Sequence, residues 1–229
     1  MSQLTGTLEG TPLDDRFTGA VDFTGATDLF GVAMMNASIR TFEGNDAVEG
    51  TATVTATVPG TTVEATGGAN VFVDTGHDDD QISFQASATG AHAVAVAVKQ
   101  AAILSGSGRD TVGISGRAYN GNDTDPGTTT GYGLFQAFLD TDHGNDDVTI
   151  TGYGYGYGLS TGYGAFQAAI ATGDDDDFLS IAGTGAGLGQ GAGTGYGLWQ
   201  SSVSTGSGND SVAISGSGSS NTAAVGMDR

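Results

Sequence analysis

The chain reads as an all-β protein, a parallel β-solenoid (β-helix or β-roll like) of about seven turns of roughly 33 residues with a flattened Gly/Ala-rich core. Three observations predict this. An aspartate returns with the same neighbours at positions 15, 46, 80, 110, 146, 177 and 210, at intervals of 31, 34, 30, 36, 31 and 33 residues. Apolar residues alternate with polar ones after each copy, and the same parity then turns small. Strand-like units repeated at this period cannot bury an apolar face alone and do so by stacking.

The first strand of each repeat follows its aspartate. Two residues on stand Val48, Ile82, Val112, Val148, Leu179 and Val212, and two further stand Phe84, Ile114, Ile150, Ile181 and Ile214, with Gly50 the exception. Period-two alternation is the mark of a strand with one buried face. Ala52, Ala86, Gly116, Gly152, Gly183 and Gly216 continue that face and predict close approach of a facing sheet. After a variable connection comes a second strand, read from Gly133-Leu-Phe-Gln136, Gly164-Ala-Phe-Gln167 and Gly197-Leu-Trp-Gln200, with Asn36, Asn70 and Gln100 in register. Stacking turns these amides into a ladder column, facing inward or outward. Ile39, Val73, Ile103, Leu139, Ile170 and Val203 follow three residues later, and Thr41, Thr75, Ser105, Thr141, Thr172 and Thr205 five later. The repeats start near 10, 41, 75, 105, 141, 172 and 205, so residues 1–229 form one array without an internal linker.

Charge narrows the function classes. Twenty-six acidic and six basic residues leave a net charge of −20, which disfavours nucleic acid and anionic membranes and favours multivalent cations. The absence of cysteine removes disulfides, thiolate metal sites and a thiol nucleophile. The N-terminus has no basic segment followed by an apolar run, and no stretch is long enough for a transmembrane helix.

Stacking would bring the repeated carboxylates about 5 Å apart along one edge, with about 3 kcal/mol of repulsion per neighbouring pair at an effective dielectric near 20. Asp78 to Asp80, Asp146 with Asp147, and Asp174 to Asp177 add further charge there. Carboxylates with turn carbonyls form the oxygen ligand set that calcium prefers. The alternative role for each aspartate is to cap its turn by accepting backbone N–H bonds while facing water.

Thr205-Gly-Ser-Gly-Asn-Asp210-Ser-Val212 and Ser105-Gly-Ser-Gly-Arg-Asp110-Thr-Val112 resemble the nonapeptide Gly-Gly-x-Gly-x-Asp-x-apolar-x of RTX (repeats-in-toxin) proteins. The resemblance covers about nine residues per turn. It implies Ca2+ held between turns, with the metal role falling on Asp46, Asp80, Asp110, Asp146, Asp177 and Asp210 and the loop role on Gly44, Gly106, Gly108, Gly144, Gly206 and Gly208. It also implies type I-like export and an extracellular or cell-surface location. Thr or Ser replaces the first motif glycine in most copies, Asp78 and Asp175 replace the fourth-position glycine in two, and the nonapeptide occurs once per turn, not in tandem.

Two aromatic sets offer a partner-binding face for polysaccharide or a cell surface: the stripe Tyr153, Tyr155 and Tyr157 and the column Tyr132, Tyr163 and Tyr196. Stacking within a glycine-rich sheet is their structural alternative. His77, His92 and His143 read as solvated surface residues, and Asn120 to Gly127, with Asp123 and Asp125, as a bulging polar loop. Six scattered basic residues give a polysaccharide lyase little to work with, so no enzyme is expected. The predicted function is a calcium-stabilised structural or adhesive scaffold whose open strand edges favour end-to-end self-association.

Overall fold

A computed structural model describes residues 3–121, 125–219 and 224–228, the last segment by its backbone. Every regular element among them is a strand. β1 (Leu4–Glu9), β2 (Arg16–Gly25) and β3 (Leu29–Arg40) open the chain, followed by β4 (Ala47–Ala56), β5 (Thr62–Ala69) and β6 (Phe72–Asp74). The pattern repeats as β7 (Gln81–Thr89), β8 (His92–Lys99) and β9 (Ala102–Leu104), then β10 (Thr111–Asn120), β11 (Thr128–Phe135) and β12 (Phe138–Asp140). β13 (Asp147–Gly156), β14 (Leu159–Phe166) and β15 (Ala169–Ala171) precede β16 (Phe178–Gly187), β17 (Gly193–Trp199), β18 (Ser202–Ser204), β19 (Ser211–Gly218) and β20 (Ala224–Asp228).

The strands form a parallel β-solenoid of two sheets. A seven-stranded sheet runs β19-β16-β13-β10-β7-β4-β2, and a thirteen-stranded sheet holds the remaining strands. Turn-to-turn register is maintained across the repeats: Val48 pairs with Ile82, Ile82 with Val112, Val112 with Val148 and Val148 with Leu179. Equal side chains therefore fall into the columns predicted from the repeat.

The broad end of each coil, next to the aspartate loops, is filled by Val48, Ile82, Ile114, Leu134, Ile150 and Ile181. Gly50, the exception in its column, sits where a Cβ would lie 2.6 Å from the Phe84 ring; the glycine makes room for that ring, which is fully buried. At the narrow end Ala52, Ala86 and Ala88 of one sheet meet Ala93 and Ala95 of the other. Further along the axis the sheets close further: a Cβ on Gly152 would lie 1.8 Å from the Tyr163 carbonyl oxygen, and one on Gly183 1.8 Å from that of Tyr196.

The expected second strand is bent in two. Asn36, Asn70, Gln100, Gln136, Gln167 and Gln200 occupy the bend with φ between 48° and 52°, a left-handed conformation that L-residues seldom adopt. All six are exposed, so the amide column faces outward. Gln100 Nε2 donates to Gln136 Oε1 at 3.3 Å, Gln136 to Gln167 at 3.0 Å and Gln167 to Gln200 at 2.9 Å. Glycine would fit the backbone more easily, but only an amide supplies this ladder.

Candidate functional site at the acidic corner

The loop between the second strand of one turn and the first of the next carries most of the motif residues. Each of the six predicted loop glycines has positive φ, as do Gly76 and Gly173. Asp78, Asp142 and Asp175 take the same conformation with φ of 79°, 64° and 85°, which aspartate tolerates better than most side chains. Asp78 also uses its carboxylate, accepting from Gly44 N at 3.0 Å. The loops stack backbone on backbone: a Cβ on Gly106 would lie 1.9 Å from Gly76 O, and one on Gly144 1.5 Å from Gly108 O.

The motif aspartates do not line a solvent edge, as the stacking argument placed them. Asp46, Asp80, Asp110, Asp146 and Asp177 are 0–3 % exposed and point into the coil. The reason is parity: each stands two residues before an inward Val, Ile or Leu and shares its side. Oδ1 of each accepts the backbone N–H of the equivalent residue one turn earlier. Asp15 N donates to Asp46 at 2.7 Å, Asp46 N to Asp80 at 2.7 Å, Asp80 N to Asp110 at 2.9 Å and Asp110 N to Asp146 at 2.8 Å. Asp146 N donates to Asp177 at 3.0 Å and Asp177 N to Asp210, itself partly exposed, at 3.2 Å. The capping role is therefore real, but it reaches across turns and is buried.

Sequence reasoning missed a second column, immediately before the first. Asp14 Oδ1 accepts from Asn45 N at 3.0 Å, Asn45 Oδ1 from Asp79 N at 3.1 Å and Asp79 Oδ1 from Arg109 N at 2.9 Å. Asn145 and Asp176 do the same for Asp176 N and Asn209 N. This outer ladder runs in the opposite sense to the inner one, so each corner is tied to both neighbouring turns. Its signal was present in the Asn or Asp that precedes most motif aspartates.

The second oxygen, Oδ2, of Asp46, Asp80, Asp110, Asp146 and Asp177 is enclosed without a hydrogen-bond partner. Burial raises the pKa of Asp80 and Asp146 to about 7, and raises those of Asp110 and Asp177 for the same reason. The backbone N–H bonds that these carboxyls accept from the preceding turn oppose the rise. Neighbouring aspartates add to it: Asp110 and Asp46 at Asp80, Asp110 and Asp177 at Asp146.

The between-turn calcium role does not fit this geometry. Calcium needs six to eight oxygens at 2.3–2.6 Å. The loops touch directly, and their carbonyls already accept N–H bonds from the next turn, such as Ser107 N to Gly76 O at 2.9 Å and Asp174 N to Asp142 O at 2.8 Å. Among the described residues no three His, Cys, Asp or Glu side chains converge on one point. His77 and His143 are separated by Ser107, which accepts or donates at His77 Nδ1 over 2.6 Å.

The aromatic sets lie on the outer faces, half-buried. Tyr132, Tyr163 and Tyr196 stack at 5.0 and 5.1 Å, and Phe135, Phe166 and Trp199 form a parallel stack at 5.2 and 6.5 Å. The two stacks meet edge to face, as in Tyr196 against Trp199 at 4.7 Å. Their π-faces are turned to one another and not to solvent, and burial pushes Tyr163 up to about 12. Tyr153 and Tyr155 stand on the opposite sheet with Tyr119, whose ring is 5.8 Å from that of Tyr153. Tyr157 stands outward on the same strand exit, with Gly189 beside its ring. Of the bulging loop, Asn120 Nδ2 donates to Asp125 O at 2.9 Å; Asp123 lies outside the described residues.

No family model matches the chain, and searches of curated proteins and of solved structures find no match.

Proposed function

We propose that the protein is a rigid structural scaffold, a self-cohering solenoid that presents flat faces, and that it is not an enzyme. One observation carries this reading: the chemically capable columns face the next turn of the same chain, not a common point. Buried carboxyls bind backbone N–H groups, amides bind amides and rings stack on rings. Catalysis requires nucleophile, base and charge-stabilising groups to converge within about 3 Å of one reacting atom.

In this reading protons and N–H bonds, not calcium, neutralise the inner aspartate column. Placement outside the cell belongs to the same proposal and rests on the nonapeptide resemblance alone. End-to-end association belongs to it as well: β2 and β19 are the edge strands of the seven-stranded sheet, and a second copy would continue the ladder from either.

Melting and small-angle scattering in excess calcium and in excess chelator, at pH 5 and pH 8, test the central point. The expected outcome is one rod-like envelope throughout and a melting temperature set by pH, not by metal. Loss of the compact rod in chelator would return the column to calcium.

A further inference from the structure

The outer face of the seven-stranded sheet differs from the rest of this acidic molecule. Apart from Asp22 on the edge strand β2, the outward positions from β4 to β16 carry two carboxylates, Glu49 and Asp147, both toward the corner end. The others are largely Ser, Thr, Gln and Tyr, with Arg117 near the far end of β10. Arg16 and Lys99 pair with Glu49 and Glu64 at 2.6 and 3.0 Å. Arg117 is exposed and has no carboxylate partner among the described residues; its Nε donates to Ser115 Oγ at 3.2 Å.

Two shallow depressions of about 310 and 300 Å³ meet at Arg117 and Tyr119. Gln85 and Ser87 line the first, Thr151, Tyr153 and Thr184 the second, so the trough crosses several turns along the solenoid axis. Seven residues of extended strand put Arg117 about 23 Å from Asp110. That is nearly three Debye lengths at physiological salt, so the acidic corner is screened from this face.

We propose that this trough binds an acidic polysaccharide, a polymer of uronic acid units. The guanidinium takes a carboxylate in a two-pronged pair, its preferred planar partner. Tyr119 and Tyr153 contact sugar rings with their amphipathic bodies, and the flanking hydroxyls and amide donate to and accept from sugar hydroxyls. A polyhydroxylated chain suits the face better than an acidic peptide, because the trough offers neither free backbone groups nor side-chain pockets. The inference is independent of the scaffold reading.

Calorimetry at physiological salt with polygalacturonate, a neutral glucan and poly-glutamate tests it on the whole chain. Polygalacturonate is expected to bind, to weaken with added salt, and to exceed both other polymers at least tenfold. Arg117→Gln is expected to lose at least tenfold and Tyr119→Ala about fivefold, with unchanged circular dichroism, whereas Arg109→Gln at the corner keeps wild-type affinity. The proposal is overturned by absence of polygalacturonate binding, by wild-type affinity in Arg117→Gln, by an equal loss in Arg109→Gln, or by glucan or poly-glutamate binding as tightly.

Discussion

The two ends of the solenoid have the same register but opposite packing problems. In the N-terminal turns the narrow part of the coil is filled with methyl groups, Ala52, Ala86 and Ala88 against Ala93 and Ala95, and Phe84 fills the space left by Gly50 and Gly68. In the C-terminal turns the equivalent column is Gly116, Gly152 and Gly183, and the sheets lie backbone against backbone. The first region therefore depends on volume and the second on its absence. A repeat with one pairing register tolerates both because each turn packs mainly against its neighbours.

The largest effect is expected in the N-terminal half. Phe84→Ala removes the largest fully buried side chain and leaves a cavity bounded by two glycines, which cannot collapse around it, so chemical denaturation should show a loss of about 4 kcal/mol. In the C-terminal half the damaging change is an addition. Gly152→Ala puts a methyl 1.8 Å from the Tyr163 carbonyl and 2.6 Å from that of Gly131, so a loss of about 3 kcal/mol is expected from the same measurement. The reverse change in the N-terminal half, Ala86→Gly, should cost only about 1.5 kcal/mol, from one buried methyl and added backbone entropy. Equal costs for Gly152→Ala and Ala86→Gly would remove the contrast between the halves.

The aspartate corner is shared by both halves and supplies a smaller, pH-dependent effect. The pKa of Asp80 and Asp146 is about 7 in the fold against 3.8 for an unperturbed carboxyl. The folded chain therefore binds more protons than the unfolded one between those values, and stability falls as pH rises from about 4 to 7. Asp146→Asn keeps an oxygen to accept the Asp110 N–H, leaves its own backbone N–H bond to Asp177 in place, and removes the charge. It is expected to raise the melting temperature at pH 8 and to flatten the pH profile; a lower melting temperature that calcium restores in the parent chain alone would reverse the assignment. The smallest effect belongs to the amide ladder. Gln167→Ala loses two exposed amide bonds and keeps the left-handed backbone, costing about 1 kcal/mol, whereas Gln167→Gly relieves the backbone and should fall near neutral.

Much of this architecture was legible beforehand, for reasons tied to particular residues. The interval from one motif aspartate to the next set the length of a turn, and the alternation Val148-x-Ile150-x-Gly152 set which side of the strand is buried. The nonapeptide resemblance placed the loop glycines, but not the left-handed backbone that Asp78, Asp142 and Asp175 share with them. The same parity could have sent the aspartates inward, since Asp146 is two residues before Val148, but electrostatic reasoning about a solvent edge outweighed it. The outer ladder went unread although Asn or Asp precedes most motif aspartates, because the backbone N–H groups it binds lie one repeat away.

By itself, then, the sequence determined the repeat, the parallel stack and the identity of each column, because a periodic chain has few ways to bury a periodic apolar face. Only the tertiary structure decided what each column touches. It turned the aspartates toward N–H groups of the preceding turn, the amides outward to one another and the aromatic faces onto their own copies. It also left Arg117 without a carboxylate on a hydroxyl-rich face. Those outcomes depend on distances between residues some 30 positions apart, which are set only once neighbouring turns close to the spacing of about 4.8 Å that strand pairing imposes.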